Sequence, residues 1–425
     1  MTGITLPSTV TDIGEDAFGY CYNLTNIHVA AGNTAYASID GVLFNGAKTL
    51  LIQYPAGNTR TEYTVPDGVT EIGAAAFMFC EKLEKVSMPE GVTEIGDFAF
   101  VWCEELIAFT FPDSLTRIGY GAFEDTGWLI NQPGGLLYIG RCLYTYKGKM
   151  PSNAAIVIAA GIVSISSGAF DRFDSMKSVT LPDGLLCIGE WAFYGCEKLT
   201  EIAIPDSVVE IGTMAFEECA AMTQIKVGAG NAAYSSLDGV LFDKEKTVLI
   251  KYPEGKTQTA YVVPEGVTEL AEWAFWNAAF LGVTLPDSLI SIQLGAFGKC
   301  GNLEDIYIPP SVTSMGESVF GWWYMYEDFV VYGELGSYAE TYCWDNYVPF
   351  LPVPGDFLWG DVDRQNGLDI SDARMVLQYL VGKITLTPTQ LSLANVDGKN
   401  GVTITDARLM LQRLVGKIAK FPVEK

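Results

Sequence analysis

The sequence predicts a β-rich solenoid of stacked short repeats over residues 1–350, joined by a linker at 351–355 to a small all-α module at 356–425. Three observations predict it. An Ala-Phe pair recurs at a near-constant interval, two matching acidic loop-plus-helix segments close the chain, and the texture changes between them at Leu351-Pro-Val-Pro-Gly355.

The repeat dominates the sequence. Its phenylalanine stands at Phe18, Phe77, Phe100, Phe123, Phe170, Phe193, Phe216, Phe275 and Phe297, and Val319-Phe320 continues the series. Within a cluster the spacing is 22 or 23 residues. A self-similar period of this size marks a repeat architecture. The stretch from Leu199 to Cys219 shows one unit: two short alternating runs, Leu199 to Ile204 and Val208 to Ile211, separated by a Pro-Asp corner, with a glycine ending the second run. Alternation of period two predicts strands, and Pro-Asp and Gly predict the turns. One unit cannot cover its own apolar face, so neighbours must stack. Leu, Ile and Phe then form inward ladders, while Glu201, Gln224 and Asp305 face outward.

These residues resemble the BspA-like leucine-rich repeats of bacterial surface proteins, whose pattern runs close to Leu-Thr-x-Ile-x-Ile-Pro-x-Ser-Val-Thr-x-Ile-Gly-x-x-Ala-Phe-x-x-Cys. The pattern is met about ten times, with minor departures. The 59-residue gaps from Phe18 to Phe77 and from Phe216 to Phe275 hold a second recurring unit, Tyr36-Ala-Ser-Ile-Asp-Gly-Val-Leu-Phe with Tyr54-Pro-Ala-Gly, and Tyr234-Ser-Ser-Leu-Asp-Gly-Val-Leu-Phe with Tyr252-Pro-Glu-Gly. Asp-Gly before an apolar run predicts a hairpin. Residues 128–153, with Leu143-Tyr-Thr-Tyr-Lys-Gly, form a third variant. Tyr332 to Tyr342 breaks the period and fits a short helix in a cap at about 330–350, closing the hydrophobic edge that a solenoid end leaves open. Of nine cysteines, Cys21, Cys80, Cys103, Cys196, Cys219 and Cys300 each follow a repeat phenylalanine by three positions, which predicts a ladder of small buried side chains.

The tail carries Asp361-Val-Asp-Arg-Gln-Asn-Gly-Leu-Asp-Ile-Ser-Asp372 and, 34 residues on, Asn395-Val-Asp-Gly-Lys-Asn-Gly-Val-Thr-Ile-Thr-Asp406, each followed by an amphipathic run ending in Leu-Val-Gly-Lys. Calcium takes oxygen ligands from positions 1, 3, 5, 7 (by backbone), 9 and 12 of such a loop. Loop one offers Asp361, Asp363, Gln365, the Gly367 carbonyl, Asp369 and Asp372. Loop two offers Asn395, Asp397, the Gly401 carbonyl, Thr403 and Asp406, with Lys399 at position 5, where a cation cannot ligate. A weak second site, or an outward lysine replaced by water, is the expectation. Asn366 and Asn400 occupy the turn position where glycine is usual.

The twin loops with their Leu-Val-Gly helices resemble a type I dockerin of anaerobic bacteria. The resemblance implies a calcium cofactor and, as partner, a cohesin module on a cellulosomal scaffoldin or a cell-surface anchor. It also implies contact residues at loop positions 10 and 11 and on the following helix: Ile370, Ser371, Leu377 and Gln378, matched by Ile404, Thr405, Leu411 and Gln412. Near-identity of the two sets implies two binding orientations. The plainer reading is a calcium-stapled helix pair with a structural role alone.

The rest of the composition narrows function. Lys and Arg number 26 against 51 Asp and Glu, a net charge of −25, which opposes nucleic-acid and anionic-membrane partners. No apolar run approaches the roughly 20 residues of a membrane span. Thr2-Gly-Ile-Thr-Leu-Pro7 already reads as the middle of a repeat, so the lack of a leader in these residues does not bear on secretion. The single histidine, His28, is expected at an outward strand position with no nucleophile at triad-like spacing, and no phosphate loop or zinc pattern occurs. Tyr20, Phe79, Trp102 and Trp322 stand two positions after the repeat phenylalanine, and Trp191 and Trp273 two before. Packing between turns accounts for them, with a glycan-stacking edge as the alternative. Together these features predict a non-catalytic, extracellular or surface-associated interaction protein whose repeats present a protein- or glycan-binding face. The alternative is a structural adhesin or spacer whose calcium-bound tail only stabilises the chain.

Overall fold

A strand of two to four residues is stable only when neighbours extend it and cover it, and the fold follows from that need. The computed structural model describes residues 2–14, 17–321, 329–334, 336–352, 359–363, 368–386, 388–399 and 401–423. It comprises two compact units, Met1–Ala221 with Lys226–Ala233, and Met222–Ile225 with Tyr234–Lys425. Among the described residues no helix is long and apolar enough to cross a membrane.

In the first unit the second edge of each repeat is a two-residue parallel strand. Glu71–Ile72 pairs with Glu94–Ile95, and that with Arg117–Ile118. Further along, Cys142–Lys147, Ser164–Ile165, Cys187–Ile188 and Glu210–Ile211 continue in the same sense. The first edge builds its own parallel row, Glu62–Thr64, Lys85–Ser87 and Ala108–Thr110. Side chains alternate as predicted: Ile202 and Ile204 are buried, Glu201 and Gln224 are exposed, and Asp305 is half-buried. His28 is exposed on Asn26–Val29.

The Ala-Phe turn supplies a third ladder that alternation alone does not reveal. Ala75, Phe77 and Phe79 donate their backbone N–H groups to Asp97, Ala99 and Val101 of the next turn. Holding this shape puts residues two before and two after the phenylalanine in left-handed backbone: Phe98 (φ 53°), Trp102 (φ 58°), Phe79 (φ 61°) and Trp191 (φ 51°). Large side chains in that region are uncommon and persist only where surrounding structure fixes them. Inside, the rings stack turn upon turn, Phe77 on Phe100 at 4.7 Å and 18°, Phe100 on Phe123 at 5.5 Å and 4°, Phe170 on Phe193 at 5.3 Å and 15°.

The cysteine ladder is present, with a more specific reason than small size. The thiols of Cys103, Cys196 and Cys219 donate to the carbonyls of Phe77, Phe170 and Phe193, each in the preceding turn, at 2.9–3.3 Å. Cys21 departs from the expectation: it is exposed, and no hydrogen bond from its thiol is found among the described residues.

Both inserts are hairpins, as predicted. Tyr36–Ile39 and Val42–Asn45 pair antiparallel around Asp40 and Gly41, whose positive φ of 51° and 82° form a type I′ turn. Leu50–Gln53 then returns antiparallel to Val42–Asn45 and parallel to Glu71–Ile72. The insert lacks an Ala-Phe turn, and Tyr54 fills the vacant rung, stacking on Phe77 at 5.1 Å and 21°. The third variant is also a hairpin, Gly135–Ile139 against Cys142–Lys147, preceded by a short helix, Gly127–Ile130, that the sequence reading leaves out.

The second unit repeats the plan. Tyr234–Leu237, Val240–Asp243 and Val248–Lys251 form the hairpin, and Glu269–Leu270, Ser291–Ile292 and Ser314–Met315 extend it in parallel. The cap follows: Ser337 caps helix Tyr338–Asp345, whose Cys343 is fully buried and whose Tyr342 hydroxyl accepts the Val319 N–H at 2.9 Å. The tail folds around a small core that includes Val362, Val376, Ala407, Met410 and Phe421. Its two predicted helices are Ile370–Leu380 and Ile404–Leu414. A third, Pro388–Ala394, starts at a proline in the first helical position, a signal the sequence reading passes over.

Candidate functional site

The tail concentrates the chemistry. Asp369 caps helix Ile370–Leu380 and forms a capping box with Asp372. Asp372 is fully buried and accepts the backbone N–H groups of Val362, Asp363 and Asp369 at 2.6, 3.0 and 2.8 Å. Burial raises its pKa against the lowering effect of those three donors, and the Asp363 charge adds to the rise. Asp369 shifts the other way, lowered first by the Ser371 hydroxyl and then by the Ser371 N–H. Oxygens of Asp361, Asp363 and Asp372 all lie within 4.8 Å of one another. Two oxygens on one calcium at 2.3–2.6 Å sit at most about 5 Å apart, so this spacing fits that cation. Gln365 and Gly367, expected as further ligands, lie outside the described residues, as do Asn366 and Asn400.

The second loop has the same frame and fewer charges. Asp406 is fully buried and accepts from the N–H groups of Asp397 and Thr403 at 3.0 and 2.8 Å and from the Thr403 hydroxyl at 3.0 Å. Asn395 turns its amide N–H to the Lys399 carbonyl, leaving a buried Oδ1 without a partner among the described residues. Lys399 is exposed, and Gly401 has φ 75°.

The expected contact residues fall on matched positions of the two helices. Ile370 and Ile404 are 73% and 64% exposed, and Leu377 and Leu411 are exposed alike. Leu380, Val381, Leu414 and Val415, which the sequence reading does not single out, are exposed in the same way. Gln378 and Gln412 are half-buried. Ser371 turns its hydroxyl to Asp363 and Asp369, and Thr405 donates its N–H to Thr403.

The aromatic candidates separate into groups. Tyr20, Phe79 and Trp102 come together in one row, joined by Tyr22: Tyr20 lies 5.5 Å and Tyr22 5.0 Å from Phe79, and Trp102 stacks on Phe79 at 4.6 Å and 13°. Trp191 sits elsewhere, edge-on to Tyr120, its indole N–H on the Met214 sulfur at 3.3 Å. Trp273 lies over Gly295, where any Cβ would meet the ring at 2.0 Å, and contacts Trp276. Trp322 lies outside the described residues. Packing between turns therefore accounts for Trp191 and Trp273. Burial pushes the thiols of Cys142, Cys300 and Cys343 up to about 12, which suits structural cysteines and not nucleophiles.

The family model for the BspA-type leucine-rich repeat region matches residues 1–60, 56–140, 138–258 and 254–343. No curated protein matches. Among solved structures, the chain is similar to a leucine-rich repeat protein from Eubacterium ventriosum (23% identity, 70% of this chain and 69% of that one, TM-score 0.37). It is also similar to a leucine-rich cell surface protein from Faecalibacterium prausnitzii (28% identity, 70% and 79%, TM-score 0.39) and to the pneumococcal vaccine antigen PcpA (19% identity, 75% and 96%, TM-score 0.38). With its repeats matched over residues 1–343, the chain belongs to the BspA-type leucine-rich-repeat family.

Proposed function

We propose that this is a non-catalytic interaction protein acting outside the cell or at its surface. Its tail docks onto a cohesin module in a calcium-dependent manner, and its repeats present a binding surface. The observation that carries the reading is duplication. Two loops with a buried aspartate at position 12 each position a helix bearing the same exposed isoleucine, leucines and valine. Loop one gathers three carboxylates at calcium spacing. When bound there, calcium would be held by Asp361, Asp363 and Asp372 and would neutralise their mutual repulsion, fixing the loop to the helix start.

The spacer alternative gains less support. Helix Tyr338–Asp345 buries Tyr342 and Cys343 at the end of the repeats, so the cap is supplied there by residues outside the tail, and of the tail helices Pro388–Ala394 lies along strand Gly282–Thr284. Titration calorimetry of the full chain against a panel of cohesin modules tests the proposal. Binding is expected with calcium, in the nanomolar range, and is lost in a chelator. No heat from any cohesin with calcium present overturns it.

A further inference from the structure

The two hairpin inserts follow one design at an offset of 198 residues, and among the positions where they differ one cluster changes from buried polar to uncharged side chains. In the second, Lys251 and Glu254 are 4% and 1% exposed and pair at 3.4 Å, and Asn277 donates its amide to Glu254 at 3.1 Å. In the first, the equivalent positions are Gln53, Ala56 and Phe79. None of these reproduces the ion pair, and the space is open. A cavity of about 260 Å³ lies there, with Leu50, Ile52, Gln53, Ala56, Glu71 and Phe79 in its wall and Tyr20 at its edge. From that edge the aromatic row runs on through Tyr22 and Trp102, and Tyr20, Tyr22 and Trp102 are 68%, 49% and 40% exposed. One insert buries a polar cluster at this place, whereas its copy has a cavity there beside exposed rings.

We propose that this cavity and its aromatic row bind a neutral pyranose of a glycan chain. The inference rests on reading the repeats as a ligand-presenting surface and is independent of the tail. The negative face of an aromatic ring attracts the positively polarised C–H face of a sugar. Hydroxyl groups need acceptors in the wall, and Glu71 and Gln53 supply a carboxylate and an amide. Glu94 stands beside Glu71 on the next strand, and the chain carries −25 overall, so anionic sugars are repelled. The volume falls just below the roughly 300–1,000 Å³ of drug-sized pockets, which suits a sugar ring with the chain continuing over the row. A quaternary cation fits less well. It needs rings facing a common centre, whereas Tyr20, Tyr22 and Phe79 contact one another at 5.0–6.2 Å.

The chain supplies its own negative control. The triple variant Q53K/A56E/F79N installs the second insert's plug in the first. The full chain is titrated with neutral tetrasaccharides of the cello-, xylo-, manno-, galacto- and N-acetylglucosamine series, by calorimetry and tryptophan fluorescence. At least one is expected to bind, weakening by about tenfold or more in the triple variant. Glu71→Gln, which keeps the cavity shape, is expected to weaken it as well, and Trp191→Ala to leave it unchanged. Should the triple variant misfold, Glu71→Gln and Trp102→Ala decide the matter. No binding by any tetrasaccharide, undiminished binding by the plugged variant, or preferential uptake of tetramethylammonium or a basic peptide overturns the proposal. Protein binding to the repeats with every sugar silent would sink this inference and leave the broader reading intact.

Discussion

At the scale of single residues, the interior separates groups of the same chemistry by what their polar atoms touch. Tyr54 and Tyr144 both stand beside the phenylalanine stack in hairpin variants. The Tyr144 hydroxyl accepts the Phe123 N–H at 3.0 Å, whereas the Tyr54 hydroxyl is buried without a partner among the described residues. Burial holds both phenols well above their ordinary range, so both are neutral donors across physiological pH. Removing one hydroxyl then has opposite consequences. Tyr144→Phe strands a buried backbone N–H and is expected to cost about 1–3 kcal/mol. Tyr54→Phe removes a buried polar group that gains nothing and is expected to be neutral or stabilising. Urea denaturation of the two variants checks both, and equal losses would contradict the account.

At the scale of the element, the glycine after Ile95, Ile118, Ile188 and Ile211 is a spacing device in those turns, whereas Ser166, Ala271 and Gln293 take the same place in turns that leave room for a side chain. A Cβ on Gly96 would stand 2.5 Å from the Ala74 nitrogen, and one on Gly212 would stand 2.4 Å from the Glu190 nitrogen. Backbone cannot yield as a flexible side chain does, so a methyl group there pushes successive turns apart. Gly14 holds the same place in the first described turn and has nothing within 4 Å. Gly96→Ala is expected to cost about 1–3 kcal/mol or more, and Gly14→Ala to be tolerated or to stabilise by about 0.4–1 kcal/mol. Thermal unfolding of the pair measures the contrast, and a tolerated Gly96→Ala would refute the close approach. Much of this element was legible in sequence, since Phe77, Ile72 and Ile95 recur at a period that only stacking explains. The rest was not. Which carbonyl meets the Cys103 thiol, and why Phe98 and Trp102 adopt left-handed backbone, depend on contacts with neighbouring turns that periodicity does not encode. The hollow beside Phe79 becomes legible only when the two inserts are aligned on each other, a comparison of Gln53 and Ala56 with Lys251 and Glu254 that no motif suggests. In the tail, loop spacing pointed to Asp361, Asp363 and Asp372, whose oxygens lie within 4.8 Å of one another. It did not announce that the Ser371 hydroxyl turns toward Asp363 and Asp369.

At the scale of the whole molecule, two kinds of stability share one chain. The repeats are held by apolar ladders that need no cation, and their end is closed by helix Tyr338–Asp345. The tail has a small core of its own and a loop where Asp361, Asp363 and Asp372 crowd together. Three carboxylates with oxygens within 4.8 Å repel one another, and a divalent ion bound there would convert that repulsion into cross-linking. Ligand that binds only the folded state stabilises it by RT ln(1 + [L]/Kd), about 2.7 kcal/mol at a hundredfold excess over Kd. Scanning calorimetry of the full chain is therefore expected to resolve a tail transition that calcium raises and a repeat transition that it leaves in place. Asp372→Asn removes one charge from the buried position and is expected to abolish most of the calcium shift without moving the repeat transition. A tail transition indifferent to calcium would show that the carboxylates of the first loop are not a cation site, and a single transition that shifts as one with calcium would show that tail and repeats do not unfold separately.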